Sequence, residues 1–168
     1  IARLAPLVSE EMPIIGIEPS AVLTLRDEYI DLADENNKAN ARILAKHTYT
    51  IEEFIEREMR KGKISSASFH KESKQVYLHG HCYQKALSSQ DPIKKILSLP
   101  ENYEVNVIPS GCCGMAGAFG YEQEHFEVSQ QVGELVLFPT VRKLRAEHIV
   151  AAAGTSCRHQ IKDGTGVV

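Results

Sequence analysis

Four short apolar runs, rich in β-branched residues, are spaced along the chain, and between them apolar residues recur every three or four positions. Runs of this length and composition predict buried strands, and the three-to-four-residue period predicts helices. Because strands that alternate with helices indicate βαβ units, we expect an α/β fold in which helices flank a mostly parallel sheet. The predicted strands cover residues 13–18, 75–80, 104–109 and 148–153.

The helix that is best marked in the sequence begins after Thr50. Thr50 and Glu53 have the spacing of a capping box, in which each side chain satisfies a backbone N–H near the start of the helix. Apolar residues then fall on one helical face, and the charged residues of 52–60 are expected on the opposite, solvated face. We predict no strand between residues 29 and 69 and interpret that region as a helical connection.

Two segments of the chain resemble each other. Residues 14–21 (IIGIEPSA) and residues 150–157 (VAAAGTSC) both contain a strand, a turn with a small hydroxyl residue and the start of a helix. Such an echo is typical of a tandem repeat whose first copy is truncated. We therefore expect residues 1–70 to hold the tail of a first repeat with its helical connection, and residues 71–168 to hold a complete second repeat. We interpret the chain as a piece of a longer polypeptide.

Charge and apolar run length exclude two classes of partner. The formal net charge is -3, so no basic field is available for nucleic acid or an anionic membrane surface. The longest apolar runs are strand-sized, far from the roughly 20 residues that a membrane span requires. We expect a cytoplasmic protein with no nucleic-acid partner and no membrane span.

The four cysteines follow the predicted strands in register. Cys82 comes just after the second strand, Cys112 and Cys113 after the third, and Cys157 after the fourth. The carboxyl ends of parallel strands lie along one edge of a sheet, which is where open α/β sheets bind ligands. The sequence therefore predicts that the four thiols converge on one site.

Thiols at the start of helices suit a metal centre. The helix dipole is expected to lower their pKa, and the glycines Gly111 and Gly114 allow close backbone approach and N–H donation to sulfur. A thiolate cluster of this kind suits iron–sulfur clusters or zinc. Two alternatives stay open, namely inert buried thiols and thiol–disulfide exchange between the adjacent pair in "PSGCCGMAG".

Histidines near the cysteines are candidates for completing the coordination. His81 precedes Cys82 and His159 follows Cys157 by two positions, so either could be a ligand, a donor to a ligand or a helix cap. His125 is expected near the start of a helix over the site, where it could hydrogen-bond a sulfur. His79 is interpreted as a strand-end residue.

The cysteine spacing also resembles that of a known family. Cys82, the Cys112-Cys113-Gly114 motif and Cys157, with phrases such as "GHCYQKAL" and "SCRHQIKDGTG", resemble the cysteine-rich CCG domain. That domain occurs in a cysteine-rich subunit of heterodisulfide reductase and in the iron–sulfur subunit of anaerobic glycerol-3-phosphate dehydrogenase. The resemblance is strongest to the C-terminal region of FAD-linked oxidases of the D-lactate or glycolate dehydrogenase type, and it covers residues 14–166.

The resemblance implies an electron-transfer module. It implies an iron–sulfur cluster, of the 4Fe–4S kind, held by Cys82, Cys112, Cys113 and Cys157, with zinc as the alternative. It also implies FAD in the parent protein but not in this fragment, which alone should have no dehydrogenase activity. Implied partners are the FAD-binding and ferredoxin-like modules of the same parent chain and an electron acceptor such as a quinone or a soluble carrier. Peripheral contact with the inner membrane through the parent is a further alternative.

Two positions depart from the family pattern. The first repeat of the family ends in Pro-Ser-Cys, where this chain has Ala21, and the family's closing Cys-x-x-Cys is here Cys157 followed by Gln160. Family members with the full cysteine set can build a cluster in which one cysteine sulfur is shared between irons. Four cysteines favour a simpler cluster or a single zinc ion.

Overall fold

Two parallel sheets organise the protein, whose computed structural model describes residues 1–167. A two-stranded sheet pairs β1 with β2, and a three-stranded sheet has the order β4-β3-β5. Every pairing is parallel, so the predicted α/β class with helices flanking parallel strands is confirmed. The strands are β1 (Ile14–Gly16), β2 (Thr48–Thr50), β3 (Lys74–His79), β4 (Tyr103–Val107) and β5 (Ile149–Ala152).

Among the described residues, nine α-helices and several short 3-10 turns connect and cover the strands. The longest, at the end of the chain, follows β5 and has a left-handed C-cap at Gly166. The helices are α1 (Pro19–Val22), α2 (Glu28–Leu32), α3 (Lys38–Lys46), α4 (Ile51–Arg60), α5 (Cys82–Leu87), α6 (Asp91–Leu97), α7 (Phe126–Leu135), α8 (Leu137–Arg142) and α9 (Thr155–Thr165).

All four predicted strands are present, but the prediction of no strand between residues 29 and 69 was wrong. Thr48 and Thr50 of β2 are buried and pair with Ile14 and Gly16 of β1. A strand of three residues is too short to show a two-residue period. Its partner, β1, lies more than thirty residues earlier in the chain. The short β2 therefore depends on tertiary context that a local pattern does not contain.

The capping box at the start of α4 is confirmed. Of the charged residues expected on its solvated face, Arg60 is exposed, but three glutamates are buried. Glu52, Glu56 and Glu58 are only 7%, 7% and 8% exposed. Glu56 lies 2.7 Å from an Arg60 nitrogen and 2.5 Å from Lys95 Nζ, the latter on neighbouring α6. Carboxylates can be covered in this way because cations from nearby segments lie over them.

The main apolar core packs against Tyr77 of β3 and against Val150 and Ala152 of β5. Phe138 is fully buried there, and its ring occupies space that a Cβ at Gly133 or Gly164 would enter at 2.4 Å or 2.3 Å. Two of the four cysteines belong to this core, so part of the predicted site rests on a tightly packed base. The buried members are Ile108, Cys113, Met115, Leu137, Phe138, Val141, Cys157 and Ile161.

Within residues 1–167, no helix has both the length and the apolar character needed to cross a bilayer.

Candidate metal centre

Three strand ends bring the four cysteines to one place. Cys82 is the first residue of α5 after β3, Cys112 and Cys113 lie in the loop after β4, and Cys157 is in the first turn of α9 after β5. All four line one cavity of about 280 Å³. The parallel register of β3 with both neighbours produces this convergence, because it aligns the three carboxyl ends.

The thiols form a gradient from buried to exposed. Cys113 and Cys157 are each 2% exposed, Cys112 is partly buried, and Cys82 is exposed. The Sγ atoms of Cys112 and Cys82 are 3.9 Å apart, and all four cysteines are free. The cavity therefore has a protected inner pair of sulfurs and a more accessible outer pair.

The loop that carries the adjacent cysteines depends on Gly114. Its φ is 99°, and a Cβ there would lie 2.1 Å from the Ser129 carbonyl oxygen. Its N–H donates to Cys112 Sγ over 3.3 Å. Lys85 Nζ fixes the start of the loop by donating to the carbonyl oxygens of Ser110 and Gly111 at 2.6 Å and 2.8 Å. At Gly114 the backbone therefore both shapes the loop and supplies a donor to sulfur.

The expectation of low thiol pKa values was wrong for three of the cysteines. The pKa of Cys112 is raised mainly by its interaction with the Cys113 thiol and also by burial. The pKa of Cys82 is raised mainly by burial and also by the nearby Cys112. At Cys113, interaction with Cys112 lowers the pKa, but Cys157 and burial outweigh it and bring the pKa to about 11. Burial and like-charge neighbours outweigh the short helix dipoles here. A bound cation would reverse this balance by stabilising the thiolates.

His79, interpreted from sequence as a strand-end residue, is both that and part of the cysteine site. It is the last residue of β3 and is fully buried. One of its ring nitrogens and the sulfurs of Cys113 and Cys157 all lie within 4.8 Å of one another. Burial, and secondarily Lys85, lower the pKa of His79 to about 4, so the ring is neutral at pH 7. Its position on the central strand, three residues before Cys82, is the signal that could have identified it.

The other candidate histidines divide between the cavity and the surface. His81 is the N-cap residue of α5 and lines the cavity, with its Nε2 3.9 Å from Glu18 Oε1. His159 is exposed on α9, and His125 hydrogen-bonds Glu122 at 2.6 Å. Neither His159 nor His125 is among the described residues that line the cysteine cavity.

The two departures from the family pattern also have clear positions. Gln160 is 1% exposed and donates from Nε2 to Ser129 Oγ over 2.9 Å, so its amide is engaged within the core. Ala21 is exposed on α1, although its neighbour Ser20 lines the cavity. At the position of the family's last cysteine, Gln160 is therefore packed in the core by hydrogen bonds. At the position of the first-repeat cysteine, Ala21 has a short, exposed side chain.

Glu18, which sequence reasoning did not assign to the site, joins the two halves of the chain. Its Oε2 accepts from the Thr155 N–H at 2.7 Å, and its Oε1 accepts from Ser20 Oγ at 2.9 Å. Burial opposes ionisation, but the hydrogen bonds from Thr155 and Ser20 keep the pKa of Glu18 below its usual value. An ionised carboxylate from the end of β1 therefore lies at the start of the helix that carries Cys157.

A carboxylate and a phenol line the cavity on the Cys82 side. Glu28 and Tyr83 are both part of the lining, and the Tyr83 hydroxyl donates to Glu28 Oε1. Burial, and then the hydrogen bond to Glu28, raise the pKa of Tyr83 to about 12. The phenol therefore stays protonated and keeps this donor role at neutral pH.

The donor set fits a thiolate-bound metal group. Four sulfurs and a neutral imidazole are the ligands that zinc and iron–sulfur clusters take in proteins. The 3.9 Å between Cys112 Sγ and Cys82 Sγ is close to the roughly 3.8 Å between two sulfurs on one tetrahedral zinc. A four-iron cluster places each thiolate on a different iron, so its ligand sulfurs stand further apart than this pair.

Comparison with known proteins identifies relatives that are much longer than this chain. It is 31% identical over 159 residues to D-2-hydroxyglutarate dehydrogenase of Pantoea ananatis and 29% identical over 160 residues to that of Escherichia coli strain K12. Each match covers 93% of this chain but 14% of the relative. One subunit of the anaerobic glycerol-3-phosphate dehydrogenase of E. coli strain K12 is 26% identical over 156 residues, which is 93% of this chain and 37% of that subunit.

No family model matches the chain, and no solved structure matches it.

Proposed function

We propose that this chain is the iron–sulfur electron-transfer domain of an FAD-dependent 2-hydroxyacid oxidoreductase. The observation that carries the proposal is the convergence of all four cysteines, from three strand ends, on one cavity. Relatives named as D-2-hydroxyglutarate dehydrogenase are similar over 93% of the chain, which supports a 2-hydroxyacid as the parent's substrate class. The match to 14% of their length supports a role as one module among several.

In this proposal the chain's own residues hold and protect the centre. Cys82, Cys112, Cys113 and Cys157 are the ligands, and a bound cluster supplies one-electron transfer between the parent's flavin and an acceptor such as a quinone or a soluble carrier. The buried pair, Cys113 and Cys157, shields the inner side from water. The Gly114 N–H hydrogen-bonds sulfur, which is one of the means by which proteins tune cluster potentials.

A zinc-stabilised structural domain is the second candidate. The observation that favours it is the 3.9 Å spacing of two sulfurs, which suits one tetrahedral ion. A domain of this kind would dock other modules of the parent and would carry no electrons.

Metal analysis of anaerobically purified protein distinguishes these functions. Iron with acid-labile sulfide, together with an EPR signal that appears or disappears on reduction, supports the electron-transfer domain. One zinc per chain without sulfide supports the structural domain. A metal-free protein that cannot be loaded with iron or zinc, and whose Cys112–Cys113 pair oxidises reversibly, would contradict both and support a thiol switch.

A further inference from the structure

We propose that His79 is a direct metal ligand of the cysteine site and forms, with Cys113 and Cys157, an inner three-donor subsite for a divalent ion of the Zn²⁺ or Fe²⁺ class. This inference rests on the proposed metal-binding function of the cavity. It adds a nitrogen ligand to the four cysteines. From the sequence alone, His79 is interpreted only as the last residue of a strand.

The first support is the state of the His79 ring. It is completely buried, and its Nε2 has no hydrogen-bond partner among residues 1–167. A buried polar atom without a partner costs stability, so native proteins keep such atoms when they have a further use. Ligation of a metal would satisfy this nitrogen.

The second support is the partner on the other side of the ring. His79 Nδ1 lies 2.7 Å from Ser110 Oγ, which is also buried. With the serine oxygen accepting from Nδ1–H, the lone pair stays on Nε2, the atom needed for coordination. Metal-bound histidines usually donate their other ring N–H in this way, which fixes both tautomer and orientation.

The third support is the distance to the inner thiols. A ring nitrogen of His79 and the sulfurs of Cys113 and Cys157 lie within 4.8 Å of one another. Donors on a tetrahedral zinc at about 2.0–2.3 Å are separated by roughly 3.3–3.8 Å, so closure by about 1 Å completes the subsite. Both cysteines would bind the ion as thiolates, and the imidazole would donate the lone pair of its ring nitrogen.

The competing histidine is His81. It lines the cysteine cavity, which His79 does not, but its Nε2 faces Glu18 at 3.9 Å and its ring packs against Gly154. Among the described residues, the His/Cys/Asp/Glu group whose ligand atoms come within 4.8 Å of one another contains His79 and not His81. The geometry therefore favours the strand residue over the helix cap.

The test loads the anaerobically purified chain with Co²⁺ and follows the thiolate-to-cobalt and ligand-field absorption bands, then measures Zn²⁺ affinity by competition. We expect His79→Gln to shift the ligand-field bands and to weaken Zn²⁺ binding at least tenfold. Ser110→Ala should weaken it by roughly tenfold, the lower end of the effect usual for groups that orient a ligand. His70→Gln, on an exposed segment, is the matched control and should change neither measurement.

The possible outcomes separate this inference from the function on which it rests. A wild-type protein that binds neither Co²⁺, Zn²⁺ nor iron overturns the proposed metal centre itself. A wild-type protein that binds metal, with His79→Gln unchanged in spectrum and affinity, overturns only the role of His79. The shift appearing in His81→Gln instead would also overturn it. If the bound group contains iron, pulsed EPR should show nitrogen coupling in the wild type and its loss in His79→Gln.

Should His79→Gln fail to fold, His79→Cys keeps the inference testable. It replaces one zinc ligand by another, so metal is retained, and the cobalt bands should move towards those of an all-sulfur site. Retention of metal with unmoved bands contradicts nitrogen ligation.

Discussion

The carboxyl ends of β1 and β5 show the same local design with different chemistry. Each strand runs through a short turn into a helix, α1 after β1 and α9 after β5. The third residue of α1 is Ala21, which is exposed, and the third residue of α9 is Cys157, which is 2% exposed and lines the cysteine cavity. Both ends therefore share the strand-turn-helix backbone, but only the β5 end carries a thiol.

The comparison indicates what the first end does instead. Glu18, just before α1, accepts from the N–H of Thr155, the first residue of α9. The β1 end thus has no thiol at this position but braces the helix that carries Cys157 at the β5 end.

The largest expected effect comes from comparing two single substitutions, Cys157→Ser in α9 and Ala21→Ser in α1. Cys157→Ser should lose the metal group or bind it at least a hundredfold more weakly, because it removes a buried thiolate ligand. Ala21→Ser should retain it fully. Metal content and visible absorption of the two variants measure the difference, and equal retention by both would show that Cys157 is not a ligand.

The next effect is on the pH dependence of binding. The pKa of Cys113 is about 11, and those of Cys82 and Cys112 are also raised. These thiols are protonated in the free protein at neutral pH and must ionise on binding, so apparent Zn²⁺ affinity should rise about tenfold per pH unit for each proton released. Titrations between about pH 6 and 8 measure this slope, and an affinity independent of pH contradicts thiolate ligation by these residues.

A smaller effect is expected when the brace is removed. Glu18→Ala should lower the free energy of unfolding by about 1 kcal/mol, the usual cost of losing a helix cap, and should loosen metal binding modestly. Because folding lowers the pKa of Glu18, its contribution is present above the unfolded-state pKa and is lost as the pH falls through the lower folded-state value. Denaturant unfolding at neutral and acidic pH should show the difference between wild type and variant shrinking in acid.

The control for that experiment is Glu124→Ala, since Glu124 is exposed. Its effect on unfolding should stay within about 0.5 kcal/mol. A Glu18→Ala variant that behaves like this control would show that the carboxylate does not brace α9.

The smallest effect is expected from Ala21→Cys, which restores the residue that the resembled family has at this position. Ala21 is exposed, so the added thiol should react freely with alkylating reagents and should leave metal stoichiometry unchanged. Extra metal per chain, or protection of the new thiol by metal, would show instead that the two ends are chemically interchangeable.

The parallel core and the convergence of cysteines follow from patterns that a sequence displays. The apolar runs before Cys82, Cys112 and Cys157 each became a strand, and parallel pairing then determined where the thiols meet. The capping box at Thr50 is a local signal and was equally visible. Features of this kind depend on residues close together in the chain.

What could not be predicted depends on contacts between distant segments. The strand β2 exists because of β1, and the buried position of Glu56 depends on Lys95 of another helix. The contact between Glu18 and Thr155 spans 137 positions of sequence. The raised thiol pKa values likewise arise from burial and mutual proximity, which no spacing of cysteines reveals.

The most direct test is a count of iron and acid-labile sulfide per chain after anaerobic reconstitution, with EPR of the reduced protein, on wild type, Cys157→Ser and Ala21→Ser. We expect equal iron and sulfide with an EPR signal in the wild type and in Ala21→Ser, and loss of both in Cys157→Ser. A wild-type chain that takes up no iron and sulfide, or a Cys157→Ser variant that keeps them, would contradict the proposed iron–sulfur centre.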